Sequence, residues 1–284
     1  MPISPRRPLS TREAVVLGAL QGPAELLPIS SSGHIALVPE LLGWQYGRLD
    51  ADLRKAFEVA LHAGTALALL IVLRDEVRHV ARSLDSRRLS GIALALLPPA
   101  LAAAAFERPI EQRLGSARAV ARAQIVGGLA LAAADRRPAV RAEAQAGALD
   151  HIAIGLGQAA ALAPGVSRNG GTLTALRTLR FERRAANRLS RHAALPIIVA
   201  ATVLKSARLA RSGLAPELRL AFGAGAATAF GSTLLCFRLV GRMDAAGSYA
   251  PFAIYRVGLG ALGLIYRPRL SSEQRPPRSA GAGA

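Results

Sequence analysis

The chain has 284 residues, 51% of them hydrophobic but only 4% aromatic, and a formal charge of +18 carried almost entirely by arginine, since Lys55 and Lys205 are the only lysines. A nucleic-acid surface would set aromatic rings among its basic side chains to stack on bases, and none are interleaved here, which argues against that partner. The arginines instead fill short connections between apolar blocks, such as 74–88 and 177–191, where they attract anionic head groups at a bilayer edge.

Taken in chain order, residues 1–11 hold two arginines and three prolines, and the apolar run 14–20 passes straight into polar residues without a small-residue cleavage site. No removable signal peptide is expected. Apolar blocks follow at 57–73, 89–106, 119–134, 152–164, 193–204, 218–240 and 252–266. Several approach the ~20 residues that a helix needs to cross a hydrocarbon core. Charges are almost absent inside the blocks and dense between them, unlike a soluble bundle with Ala-rich core helices. Only structures that satisfy their own backbone polar groups cross lipid, so the expected fold is an all-α polytopic membrane protein. The abundance of Ala and Gly favours close helix approach and a compact bundle. Pro98-Pro99 should kink or break the 89–106 helix. Cys236 stands alone in an apolar block and reads as a packed small hydrophobe. Stretches 43–51 and 139–148 read as polar connections, and 268–284 as a disordered basic tail.

A faint repeat appears at a shift of 137 positions. Glu13 meets Asp150, Gly18 meets Gly155, Gln21 meets Gln158, Ala24 meets Ala161, Ser30 meets Ser167 and Gly33 meets Gly170. The identities fall on polar and Gly positions, which lipid-facing composition does not explain. Two related halves are expected, at about 13–134 and 150–266. Each would carry a re-entrant broken helix, and the two breaks would meet around a polar cavity.

Two clusters can carry chemistry. The first runs from Gln21 to His34 and holds Glu25, Ser30, Ser31 and Ser32 before Gly33. Gln21 and Glu25 share a helix face. A carboxylate, hydroxyls and an imidazole flanked by apolar runs are costly in a bilayer, and such groups usually line a pathway or a site. The second runs from Pro164 to Thr172 and includes Ser167, Arg168, Asn169, Gly170 and Gly171. Its small residues could turn the N–H groups of 169–171 toward an anion, Arg168 adds a planar charged fork, and a helix begun near Thr172 would aim its positive end there. That combination suits a phosphate or diphosphate. Glu58 reads either as reaching the site or as a helix-start carboxylate, His62 as an interior polar group, and Tyr255 and Arg256 as interface anchors.

Together the clusters resemble the signatures of the undecaprenyl-diphosphatases associated with bacitracin resistance. That family shows Glu/Gln-x-x-x-Glu running into Pro-x-Ser-Ser-x-Gly-His, and later Pro-Gly-x-Ser-Arg-Ser-x-x-Thr. This chain has Gln21 and Glu25, Pro28 through His34, and Pro164 through Thr172 in the same order, with further similarity at Phe57-Glu58-Val59 and Pro251 to Arg256. Three positions depart from the pattern. Asn169 stands where the family has Ser, Gly171 replaces the usual Ala and should loosen the backbone, and Arg191-His192 falls where apolar residues are usual.

The resemblance implies a phosphatase that recycles a cell-wall lipid carrier in the bacterial cytoplasmic membrane, with a polyprenyl diphosphate as substrate. Membrane lipids are its other partners, and a homodimer is left open. The expected catalytic residues are Glu25, Ser31, His34 and Arg168. Ser30, Ser167, Arg168, Asn169, Gly170 and Thr172 would bind phosphate, and Gln21 and Glu25 would hold Mg²⁺ or Ca²⁺. Three attacking groups fit: Ser31 activated by His34, His34 itself, or a metal-activated water. The rival reading is a flippase for the carrier monophosphate, which needs a phosphate clamp but neither metal nor nucleophile. A third is a basic membrane-surface interaction protein, in which both motifs would be dispensable.

Overall fold

The computed structural model describes residues 9–82 and 84–266, without the side chains of 79–81, 208, 209 and 212. The expected disordered tail and residues 1–8 lie outside the described residues.

Twelve α-helices occur among the described residues: α1 (Thr11–Leu26), α2 (Ser31–Leu42), α3 (Ala51–Val72), α4 (Arg74–Arg82), α5 (Ser86–Leu114), α6 (Ala117–Asp135), α7 (Ala148–Ala160), α8 (Arg168–Thr178), α9 (Arg183–Ser212), α10 (Pro216–Cys236), α11 (Arg238–Asp244) and α12 (Ala250–Ile265). No strand is present among them, only an isolated bridge between Arg141 and Phe181. Helices α3, α5, α6 and α10 are long and apolar enough to cross a membrane. Leu97, Leu101, Val126, Leu129, Leu220 and Leu235 on these helices stand exposed, a surface that lipid would cover. The protein is an all-α, multi-pass membrane protein.

Helix α1 packs tightly on α10 through small residues. A Cβ placed on Gly22 would come within 2.5 Å of Thr233 N and 2.6 Å of the Ser232 carbonyl carbon. The Ser232 hydroxyl donates to the Gly18 carbonyl at 3.0 Å and accepts from the Gly22 N–H at 3.2 Å, so it bridges two groups that ordinarily face each other along a helix. Pro23 follows inside α1. The helix is thus pinned from outside one turn before Glu25. Gly22→Ala should destabilise the protein by about 1–3 kcal/mol, because besides the Ser232 hydroxyl the opposing atoms are backbone and cannot rotate away. This is read as a lower unfolding temperature in detergent; an unchanged temperature would show that α1 can shift freely on α10.

Pro98-Pro99, expected to kink or break its helix, does not end it: α5 runs from Ser86 to Leu114. Pro99 has no N–H for the Ala95 carbonyl, and Gln158 of α7 supplies one from its Nε2 at 3.1 Å. A hydrogen bond from a neighbouring helix thus satisfies the carbonyl that the proline strands.

The helical runs that do break are α1–α2, over residues 27–30, and α7–α8, over 161–167. In both the last residue of the break is a serine with positive φ, Ser30 at 74° and Ser167 at 71°. Few non-glycine residues occupy that region. Each serine caps the next helix, with Ser30 Oγ accepting from Gly33 N at 3.2 Å and Ser167 Oγ from Gly170 N at 3.1 Å. The two breaks lie against each other, because Gly165 N donates to Ser32 Oγ at 3.1 Å and Asn169 Nδ2 to the Leu26 carbonyl at 3.1 Å.

Candidate active site

Glu25, in the last turn of α1, is the centre of this junction. Its Oε2 accepts from Ser31 Oγ at 2.7 Å, and its Oε1 accepts from Arg168 Nη2 at 3.0 Å. The carboxylate is 9% exposed and the guanidinium 20%. One residue from each cluster is therefore joined by a charge-assisted bond, 143 positions apart in sequence. Gln21, one turn earlier on the same face, has its Nε2 3.2 Å from His62 Nδ1 of α3, while its Oε1 is buried without a hydrogen-bond partner. His62 Nδ1 also lies 3.8 Å from Glu25 Oε2. His62, expected as an interior polar group, is in fact beside the site.

Several residues of the two motifs build the turns themselves. Helix α8 begins at Arg168, four residues before the start expected near Thr172. Gly170 N donates to Ser167 Oγ and Gly171 N to the Ser167 carbonyl, so these two N–H groups serve the cap. Thr172 Oγ1 pairs with Ser190 Oγ of α9 at 2.6 Å, and Ser190 donates to Asn169 Oδ1 at 3.0 Å. Asn169 thus holds α1 with its amide nitrogen and α9 with its amide oxygen. Both reaches suit an amide, which carries donor and acceptor on separate atoms. Gly171 does not loosen the backbone: a Cβ there would strike the Gly157 carbonyl, so it lets α8 lie close on α7.

His34 hydrogen-bonds elsewhere than to Ser31. Its Nδ1 is 2.7 Å from the Ser30 carbonyl and its Nε2 is 2.7 Å from the Tyr255 hydroxyl, with the two rings stacked. A carbonyl only accepts, so Nδ1 carries a proton, and in the neutral ring Nε2 accepts from Tyr255. Arg256, next in sequence, is fully buried. Its Nη2 donates to the carbonyls of Gly165 at 3.0 Å and Val166 at 2.7 Å, and its Nε to Gln124 Oε1 at 3.0 Å. Gln124 in turn donates to the Ile29 carbonyl at 2.9 Å. Arg256 is therefore not an interface anchor, and the half-exposed Tyr255 also reaches His34: α12 holds both breaks. The carbonyls they meet have no helical partner, and in lipid only a side chain can supply one.

Sequence reasoning did not find His62, Gln124 and Ser190. Gln124 offered a signal, as a polar residue inside the 119–134 block. His62 offered a weaker one, one turn after Glu58 on α3.

An open cleft leads from this centre. Glu25, Arg168, Asn169 and Ser190 form its polar end, and Leu73, Leu195, Ile198 and Val240 contribute to its apolar walls. Arg191 and His192 are held by acidic partners: Arg191 Nη1 lies 2.8 Å from Asp244 Oδ1, and His192 Nε2 lies 2.8 Å from Glu76 Oε1. The hydrogen bond from His192 holds the Glu76 carboxyl, on the short polar helix α4, below the usual carboxylate range.

The chain matches the family described as bacitracin resistance protein BacA over residues 14–262. It is 35% identical over 265 residues to a protein from Hahella chejuensis, 38% over 266 to one from Geobacter sulfurreducens, and 34% over 260 to one from Campylobacter curvus, each named undecaprenyl-diphosphatase. The first two alignments take in 89% of this chain and 97% of the relative, and the third 87% and 95%. Because the matched span contains both broken helices and the paired Glu25 and Arg168, and the relatives align along nearly their whole length, the chain belongs to the bacitracin resistance protein BacA family.

Proposed function

We propose that the protein is a membrane phosphatase that hydrolyses the terminal phosphate of undecaprenyl diphosphate. The products are undecaprenyl phosphate and inorganic phosphate, and the lipid carrier returns to cell-wall synthesis in the bacterial cytoplasmic membrane. The observation that carries this reading is the Glu25–Arg168 pair, set where two broken helices meet and lining a cleft together with apolar side chains such as Leu73, Leu195 and Ile198. In this reading residues 13–134 and 150–266 are two related halves, each supplying one member of the pair.

Phosphoryl transfer demands mostly positioning and charge stabilisation. Arg168 turns its fork from Glu25 to the terminal phosphoryl oxygens when the substrate enters, and so frees a carboxylate beside Ser31. Ser31 Oγ then bonds to the terminal phosphorus as the bridging P–O bond breaks and the lipid monophosphate departs. Glu25 takes the hydroxyl proton. Water next bonds to phosphorus as the P–Oγ bond breaks, Glu25 returns its proton to Ser31 Oγ, and inorganic phosphate leaves with both protons of the water. His34 holds the Ser30 turn, and through it the position of Ser31; both ring nitrogens are already engaged.

The residues present fit a hard divalent cation. Gln21 Oε1 is a buried oxygen without a partner, and Glu25 is the adjoining carboxylate. The substrate phosphates would offer further oxygen ligands. Bound Mg²⁺ or Ca²⁺ supplies charge neutralisation on those oxygens.

The test is phosphate release from undecaprenyl diphosphate by the purified protein in detergent, with Mg²⁺ or Ca²⁺ and then with chelator. Release that needs the metal, and falls about a thousand-fold or more in Ser31→Ala, is the expected result. Binding of the lipid without release would overturn hydrolysis and leave translocation of the carrier.

A further inference from the structure

We propose that Arg191 is a second phosphate-binding residue of this site, one that contacts the phosphate nearer the prenyl chain and thereby favours a diphosphate over a monophosphate. This rests on the reading above. Arg191 lines the same cleft as Glu25 and Arg168. Its position along the cleft follows from α9. Ser190 is tied to Asn169, which fixes this part of α9 against the start of α8. Arg191 comes next, and Ala194, Leu195 and Ile198, which also line the cleft, follow at spacings of three, four and seven on the same face. Seven residues of helix advance about 10 Å. Arg191 therefore stands between the Arg168 end and the hydrocarbon wall, where the inner phosphate of a lipid diphosphate would lie when Arg168 holds the outer one.

The side chain is prepared for such a ligand. It is 18% exposed, and Asp244 fixes it through Nη1 at 2.8 Å. Its Nε is buried without a hydrogen-bond partner and lies 3.8 Å from Glu76 Oε1, too far for a hydrogen bond. A guanidinium has five N–H groups in a fixed fork, so one held edge leaves donors for an anion. Arginine stands here where the family pattern has an apolar residue, so this contact would distinguish the chain from relatives that keep the pattern.

Three readouts on Arg191→Leu and Arg191→Gln test the proposal: KM and kcat for undecaprenyl diphosphate, binding of methylenediphosphonate and of inorganic phosphate, and unfolding temperature. The expected result is a KM at least about tenfold higher, with methylenediphosphonate binding weakened to match and inorganic phosphate binding changed less than threefold. The double variant Arg191→Leu/Asp244→Leu removes the ion pair without stranding a charge, and it should keep the raised KM. Restored KM in that variant, or a lowered unfolding temperature with unchanged KM and diphosphonate binding, would give Arg191 a structural role only and overturn the proposal. Diphosphonate binding needs no turnover. Wild-type protein that binds the probe in an Arg191-dependent way but releases no phosphate would count against hydrolysis and not against Arg191.

Discussion

Arg168→Lys should lower kcat/KM by about a hundred-fold, and Arg168→Ala by about 10³–10⁵. The two substitutions separate charge from shape. Lysine keeps a positive charge opposite Glu25, so the junction between the broken helices retains its ion pair and the fold should persist. It loses the planar fork that can hold two phosphoryl oxygens at once. Alanine also leaves the Glu25 carboxylate, 9% exposed, without its cationic partner, and removing one member of a buried pair costs about 3–5 kcal/mol. Unfolding temperature must therefore be measured beside phosphate release. Full activity in Arg168→Lys would remove the fork from the mechanism. Equal activity losses in both variants, tracking loss of fold, would reduce Arg168 to a strut.

Glu25→Gln should cost about a thousand-fold or more in phosphate release, and should leave a residual rate that no longer responds to Mg²⁺ or chelator. The substitution is nearly isosteric. Its amide oxygen can still accept from Ser31 or from Arg168, but it can neither take the Ser31 proton nor offer a charged oxygen to a cation. Because Gln21 would remain, any metal response surviving in Glu25→Gln would assign the cation to Gln21 and the substrate alone. Activity within threefold of wild type would exclude Glu25 as the proton acceptor.

Much of the site was legible because polar groups inside apolar runs have few reasons to exist. Glu25, Ser31 and Arg168 stand out for that reason, and the structure brings these three to one carboxylate. The spacing of 137 pairs Ser30 with Ser167, and both are positive-φ caps. Short-range chemistry explains this, since a serine followed three residues later by glycine can close its own turn. His34 belonged to the same cluster but turns toward Tyr255, a residue 221 positions away, so its neighbours in sequence misled about its partner.

Composition and periodicity by themselves determined that this is a helical, multi-pass membrane protein and where its polar clusters lie along the chain. These properties are local: the cost of placing a charge in lipid and the backbone demands of a broken helix act within a few residues. Only the tertiary structure decided which helices serve the breaks. Gln158 satisfying the carbonyl stranded by Pro99, Arg256 spanning Gln124 and the 165–166 carbonyls, and His62 facing Gln21 each join segments 41 to 132 positions apart. No sequence pattern specifies such partners, because they are chosen by how close glycine-lined helices can approach and by which buried carbonyl or amide is left without one.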